Sequence, residues 1–250
     1  MHYFRAYGFM FRSKNWLTNM LLVVVCLFIP VVGQIVLIGY MFDVIEYMHR
    51  RGRDDHYPDF DFNRLVSYLT RGIWPFLADF LLGMLLAPPL AGGYMVVVFL
   101  WLGVEQKRLE PEIALIFTII IAAVALATLV LVSIVRFPIY LKCGLQQEFG
   151  AGFSWRFFWD FFGRVGVTAL LVLLFEMITA PFVLLAGALL CFVGIYPANA
   201  MIIYCQHHLL YQLYQEYLRE GGAPIPLKPE ERPAQHYGEE IVEDPNAYPE

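Results

Sequence analysis

Residues 113–135, IALIFTIIIAAVALATLVLVSIV, run for 23 positions without a charge or a proline. At about 1.5 Å per residue, a helix of that length outreaches the roughly 30 Å hydrocarbon layer of a bilayer. Three more charge-free stretches lie around it: residues 17–42 (26 residues), 80–104 (25) and 177–215 (39, with His207 and His208 neutral). The whole chain is 59% apolar and 16% charged, with a mean hydropathy of +0.59. Water-soluble domains carry about a quarter charged residues. The expected fold is therefore all-α, a polytopic integral membrane protein with four to seven membrane helices. No short apolar segment with a small-residue cleavage site precedes residue 17, and the first run is too long for a signal peptide, so the N-terminus is expected to be retained.

The net charge is −5, and residues 221–250 account for it with two bases and seven acids. Residues 1–220 are neutral, which excludes the basic face that nucleic-acid binding needs. Disorder is expected only in the tail. The organisation is thus a membrane domain over 1–220 and an acidic, proline-rich extended tail over 221–250.

Three of the four stretches contain proline near the middle: Pro30, the pair Pro88 and Pro89, and Pro181. Proline removes a helix hydrogen bond and crowds the preceding turn, so each is read as a kink or a turn. The segment around Pro88 is open to two readings, a re-entrant hairpin or one long bent helix. If each stretch crosses once, Lys and Arg number eight on one side and nine on the other, which orients nothing. That failure favours hairpins returning to their own side.

The chain also resembles itself. At an offset of 93, Phe60, Phe62, Leu65, Tyr68, Arg71, Ala87 and Pro88 fall on Phe153, Trp155, Phe158, Phe161, Arg164, Ala180 and Pro181. At 58, Phe4, Trp16 and Pro30 fall under Phe62, Trp74 and Pro88. Repeat-like units are read over about 1–48, 57–104 and 150–200, with 113–135 as an extra helix. The amphipathic lead-in FSWRFFWDFFGR (153–164) interleaves rings with charge. Trp155, Arg156, Trp159 and Arg164 are expected at the lipid headgroup level, with membrane lipids as partners. Residues 57–70 are expected to lie on the membrane surface in the same way.

Gly39-Tyr40, Arg50-Arg51-Gly52, Tyr57-Pro58-Asp59-Phe60-Asp61, Leu65 and Gly72 together resemble an uncharacterised prokaryotic multi-pass membrane protein family, a domain of unknown function. The resemblance covers roughly residues 10–215, its specific part being 39–72, and Tyr57-Pro58 departs mildly from the family's Leu-Pro. It implies a bacterial or archaeal inner (cytoplasmic) membrane and supplies no activity.

Asp79 and Glu176 sit inside apolar runs, where an ionised carboxylate costs a few kcal/mol, roughly, so each is a site candidate. Arg136 is their available counter-ion; otherwise they stay protonated or lie near an interface. Gln34 follows Pro30 where backbone carbonyls are freed, a pattern that transporters use for substrate and that packing uses more often. His207 and His208 are candidate ligands, but neighbours on a helix point about 100° apart and cannot share one. The acidic run Asp59-Phe60-Asp61 imitates a calcium loop but has Arg64 for the glycine and Thr70 for the last glutamate. Cys26, Cys143, Cys191 and Cys205 lack zinc spacing and read as reduced packing residues.

No metal site, cofactor or catalytic motif is read, so the chain is expected not to be an enzyme. The expectation is a non-catalytic accessory or scaffold subunit of a larger membrane assembly, meeting partner subunits through the tail 221–250. The alternative is a small transporter or lipid-handling protein that uses interrupted helices with Asp79 or Glu176.

Overall fold

The computed structural model describes residues 1–53, 56–190 and 193–229. Among these residues the chain is helical and contains no strand. Its α-helices are α1 (Tyr3–Tyr7), α2 (Trp16–Phe28), α3 (Val32–Arg51), α4 (Leu65–Glu105), α5 (Pro111–Gln146), α6 (Phe149–Gly152), α7 (Trp155–Leu189) and α8 (Ile195–Arg219). Three segments are long and apolar enough to cross a membrane: Phe62–Glu105, Pro111–Gln146 and Trp155–Leu189. Trp16–Phe28 is apolar but shorter.

The long helices pair as antiparallel hairpins, α2 with α3, α4 with α5, and α7 with α8. Local chemistry sets each boundary. Pro30 breaks the first apolar stretch, and Val31 sits at φ 64°, ψ −66° with the Val32 N–H donating to the Pro30 carbonyl at 2.7 Å. That is a γ-turn of the rarer, strained hand, held here by a β-branched residue. Gly52 ends α3 in the left-handed region behind His49, Arg50 and Arg51, cations that suit a helix C-terminus. Pro111 opens α5 in the first helical turn, where its missing N–H costs nothing.

At the other prolines the helix continues. α4 runs through Pro75, Pro88 and Pro89, and α7 through Pro181, so the long-helix alternative holds around Pro88 and the chain does not reverse there. The chain reverses at residues 106–110, where charge rather than proline follows the helix, and again between Leu189 and Ile195. The bend in α7 comes at Val165 (φ −127°, ψ 16°), separating the aromatic lead-in from the apolar remainder.

The C-terminal ends of α3, α5 and α8 converge with the N-terminal segment at one end of the bundle, the basal end, and the core lies there. It is rich in tyrosine: Tyr40, Tyr57, Tyr68, Tyr204, Tyr214 and Tyr217 are almost fully buried. Their hydroxyls satisfy groups that hydrocarbon alone would leave unpaired. The Tyr40 hydroxyl donates to the Pro58 carbonyl (3.0 Å) and that of Tyr57 to the Met10 carbonyl (2.5 Å).

Residues 57–60 depart from the surface placement expected of them, because Tyr57 and Phe60 are buried in this core. The Asp59 carboxylate fixes the loop by accepting from Ser13 Oγ (2.6 Å), Asn15 Nδ2 (2.5 Å) and Asn19 Nδ2 (2.8 Å). Asn19 returns the contact by accepting from the Phe60 N–H at 3.1 Å.

The α4–α5 hairpin extends far beyond the rest. Gly72 lies against Ile35, three residues from the start of α3, yet α4 continues 33 residues further to Glu105. At about 1.5 Å per residue, that is roughly 50 Å. Its turn carries Glu105, Lys107, Arg108 and Glu110, whereas the turns after α2 and α7 are uncharged. The Phe28 and Tyr196 rings meet at 4.6 Å, tilted by 33°, so those two apolar tips end side by side.

Candidate functional site: a polar cavity between α5, α7 and α8

Asp79 projects from α4 and Arg136 from α5 where the hairpin leaves the core. The guanidinium grips the carboxylate with two bonds, Nε to Oδ1 at 2.7 Å and Nη2 to Oδ2 at 2.6 Å. Its carbon also lies 4.8 Å from the centroid of the Tyr140 ring. A paired charge in an apolar setting persists because bidentate geometry and hydrogen bonds offset desolvation. The counter-ion role that the sequence allowed for Arg136 is filled by Asp79.

Glu176 lies near Arg136 but is not bonded to it. Its Oε1 is buried and makes no hydrogen bond with the described residues. It helps to line a cavity of about 360 Å³ bounded by Ser133, Arg136, Phe137 and Tyr140 of α5, Leu173, Met177 and Pro181 of α7, and Gln206, His207 and Leu210 of α8. His207 has a defined tautomer. Its Nδ1 lies 2.8 Å from the Ile203 carbonyl, which can only accept, so Nδ1 carries the proton and Nε2 accepts from the Tyr140 hydroxyl at 3.4 Å. The cavity therefore presents a neutralised Arg–Asp pair, a phenol engaged with an imidazole, and one carboxylate oxygen with open valence. Its apolar flanks suit an amphiphile, and the open carboxylate oxygen suits a proton, a cation or a hydroxyl donor.

The structure disperses the remaining sequence candidates. His208 turns away from the cavity, stacks on Phe9 at 4.4 Å and meets Gln212 at 3.0 Å, as the angular offset between neighbours requires. Gln34 is exposed in the first turn of α3, away from the cavity. Trp155 and Trp159 are 70% and 56% exposed on the α7 lead-in, beside exposed Arg156 and Arg164. Cys26, Cys143 and Cys205 are buried free thiols, and Cys191 lies outside the described residues.

Sequence reading missed a buried ionic network at the basal end. Arg71 of α4 donates to Asp43 at 3.0 Å and to Glu46, both on α3. The Gln147 amide oxygen, turned toward the same guanidinium, accepts from Nη2 at 2.8 Å and Nε at 3.1 Å. Arg64 adds two bonds to Asp43 (2.8 and 3.2 Å), and Arg50 one to Glu46 (2.8 Å). The network ties α3, α4 and the end of α5 together. Removing one partner would leave a buried charge uncompensated, a loss of about 3–5 kcal/mol. The available signal was the Asp43/Glu46 spacing of three, which puts both acids on one helix face just after an apolar run.

A family profile described as "Protein of unknown function (DUF4013)" matches residues 22–192, well over half of the chain. The chain belongs to that family. No curated protein and no solved structure matches it.

Proposed function

We propose that this member of the DUF4013 family is a small transporter or lipid-handling membrane protein that binds the polar group of an amphiphile at Glu176. The observation that carries this reading is the buried Glu176 Oε1 without a hydrogen-bond partner among the described residues, in a cavity with polar groups on one side and apolar walls on the other. A buried acceptor without a donor costs about 1–3 kcal/mol, so a ligand that donates to it gains that much over one that does not.

The charge layout supports a membrane setting for the site. Of the sixteen described lysines and arginines, only Lys107 and Arg108 lie at the far turn, and the other fourteen lie in the basal half. The sequence tally was even because residues 17–42 and 177–215 each contain a hairpin turn, which puts both flanks of each stretch on one side. By the positive-inside rule the basal end is cytoplasmic. The α4–α5 hairpin crosses the bilayer, and the two uncharged tips enter it from the cytoplasmic side and stop inside. Asp79, Arg136 and Glu176 then lie at the cytoplasmic edge of the hydrocarbon, where a lipid headgroup reaches the cavity. With the family's prokaryotic resemblance, the location is the inner membrane of a bacterium or archaeon.

The test is organic extraction of the full chain purified in a maltoside detergent, followed by mass spectrometry. The wild type is expected to carry an amphiphile bearing an amine or hydroxyl group, at least tenfold depleted in Glu176→Gln and retained in Asp61→Asn. An empty wild-type protein, or an undiminished amphiphile in Glu176→Gln, overturns the reading.

The accessory-subunit reading is favoured by a different observation. Residues 221–229 fold back against α8, with Ile225 buried and its N–H donating to the Tyr214 hydroxyl at 2.9 Å. The chain thus leaves the basal face from a fixed point, and residues 230–250 lie outside the described residues. A protein partner that co-purifies with the full chain and is lost on deleting 230–250 would support that reading.

A further inference from the structure

Closer to the basal end than the Glu176 cavity lies a second, larger one of about 850 Å³. Its walls are the aromatic lead-in of α7, Lys142 of α5 and the segment that follows α8. That segment is placed by a glycine pair. Gly221, at φ 80°, donates to the Leu218 carbonyl (3.0 Å) and Gly222 to that of Tyr217 (2.9 Å), the two bonds that cap a helix when the chain turns back. A Cβ on Gly222 would overlap the Tyr217 ring, so the segment lies this close to α8 only with glycine there.

Three cations, Lys142, Arg156 and Arg164, line this cavity, against one carboxylate, Asp160. Asp160 is already occupied, since it accepts from Arg164 Nε at 2.9 Å and from the Tyr217 hydroxyl at 2.7 Å. Arg164 also donates to the Glu220 carbonyl. Lys142 lies over the Phe157 ring at 4.9 Å, and neither Lys142 nor Arg156 makes an ion pair with a described residue. Arg156 acts on Asp160 through space without an ion pair, so the cavity keeps an excess of positive charge, three cations against one carboxylate, and the exposed indole of Trp159 lies at its rim.

From this we infer that the cavity binds the phosphate group of an anionic membrane lipid. Two cations around a concave site fit a phosphate oxyanion, with Arg156 offering a planar fork and Lys142 a point charge. A lipid is a better fit than free phosphate because rings and proline form the rest of the wall: Phe157, Trp159, Pro224 and Pro226 offer surface to glycerol and the first acyl carbons, which a bare ion would leave unused. Indoles and arginines together are also the composition that settles at headgroup depth. The inference does not depend on the Glu176 reading, since no residue is shared between the two cavities.

The experiment titrates the full chain in maltoside detergent with dioctanoyl phosphatidylglycerol, dioctanoyl phosphatidylcholine and inorganic phosphate, with tryptophan fluorescence and native mass spectrometry as readouts. Phosphatidylglycerol is expected to bind at least tenfold more tightly than phosphatidylcholine, and millimolar inorganic phosphate is expected not to displace it. The Lys142→Gln/Arg156→Gln double variant is expected to lose at least tenfold in phosphatidylglycerol affinity with an unchanged gel-filtration profile. Lys107→Gln/Arg108→Gln, which removes two charges from the opposite turn, is expected to leave affinity unaltered. Equal binding of the two lipids overturns the inference, as does an equal loss in both double variants. Inorganic phosphate binding as tightly as phosphatidylglycerol overturns the lipid assignment in favour of the free ion.

Discussion

Gly39 and Gly72 face each other across the crossing of α3 and α4, each filling the place where a side chain would meet the other helix. A Cβ on Gly39 would overlap the Tyr68 carbonyl, and one on Gly72 the Ile35 carbonyl. The two backbones are in contact, and this closeness lets Arg71 reach Asp43 and Glu46, one and two turns along α3 from Gly39. Gly39→Ala and Gly72→Ala are each expected to destabilise the protein by about 1–3 kcal/mol, the usual loss for forcing atoms into a closed contact. Gly83→Ala, on the same helix with open space around it, is expected to be neutral or mildly stabilising. Thermal midpoints from fluorescence-detected gel filtration compare the three.

Asp59 gives the basal loop a pH dependence. Burial acts to raise its carboxyl, but hydrogen bonds from Ser13, Asn15 and Asn19 outweigh that and hold it below its ordinary value of 3.8. With the folded-state value depressed, the stabilisation is complete above the unfolded value and is lost as pH falls through the folded one. The thermal midpoint is expected to decline below about pH 4. In Asp59→Asn the midpoint is lower at neutral pH, and the gap to wild type closes on acidification. A gap that stays constant from pH 7 to pH 3 would show that the loop is held by its apolar contacts.

The Asp79–Arg136 pair is expected to behave as one unit. Asp79→Asn and Arg136→Gln each leave a charge in apolar surroundings, and the double variant leaves none. Thermal or denaturant stability in a double-mutant cycle is expected to show a coupling of at least about 1 kcal/mol, because each single variant leaves the other charge unpaired in apolar surroundings. Additive losses would mean that the two groups act independently.

The depth of the hairpin tips is open to labelling. In a background with all four cysteines replaced, Lys107→Cys is expected to react with a membrane-impermeant maleimide added outside intact cells. Ile29→Cys is expected to stay unlabelled from both sides until detergent is added. Labelling of residue 29 from outside would make α2 and α3 full crossings.

The sequence displays helices more plainly than it displays reversals. The uninterrupted run 113–135 lies wholly within α5, and the 80–104 run within α4. The difficulty lay in proline. Pro30 turns the chain because Val31 follows in a left-handed conformation and α3 begins at once. Pro88, Pro89 and Pro181 sit in helices long enough to absorb a lost hydrogen bond, so the same residue type marks no boundary there. Asp79 and Glu176 stood out because charge is rare in apolar runs, whereas Asp43 and Glu46 were hidden by their charged sequence neighbours, although α3 carries them into the core. The cavity itself, made by α5, α7 and α8 from residues up to 77 positions apart, has no local signature.

The long hairpin has a mechanical consequence. Beyond its crossing with α3 at Gly39 and Gly72, α4 is an arm of roughly 50 Å. A tilt of about 10° at that crossing would sweep Glu105 through about 9 Å, by the same length estimate. Because Arg136 is bonded to Asp79 on that arm and also lines the Glu176 cavity, any such tilt would displace one wall of the cavity.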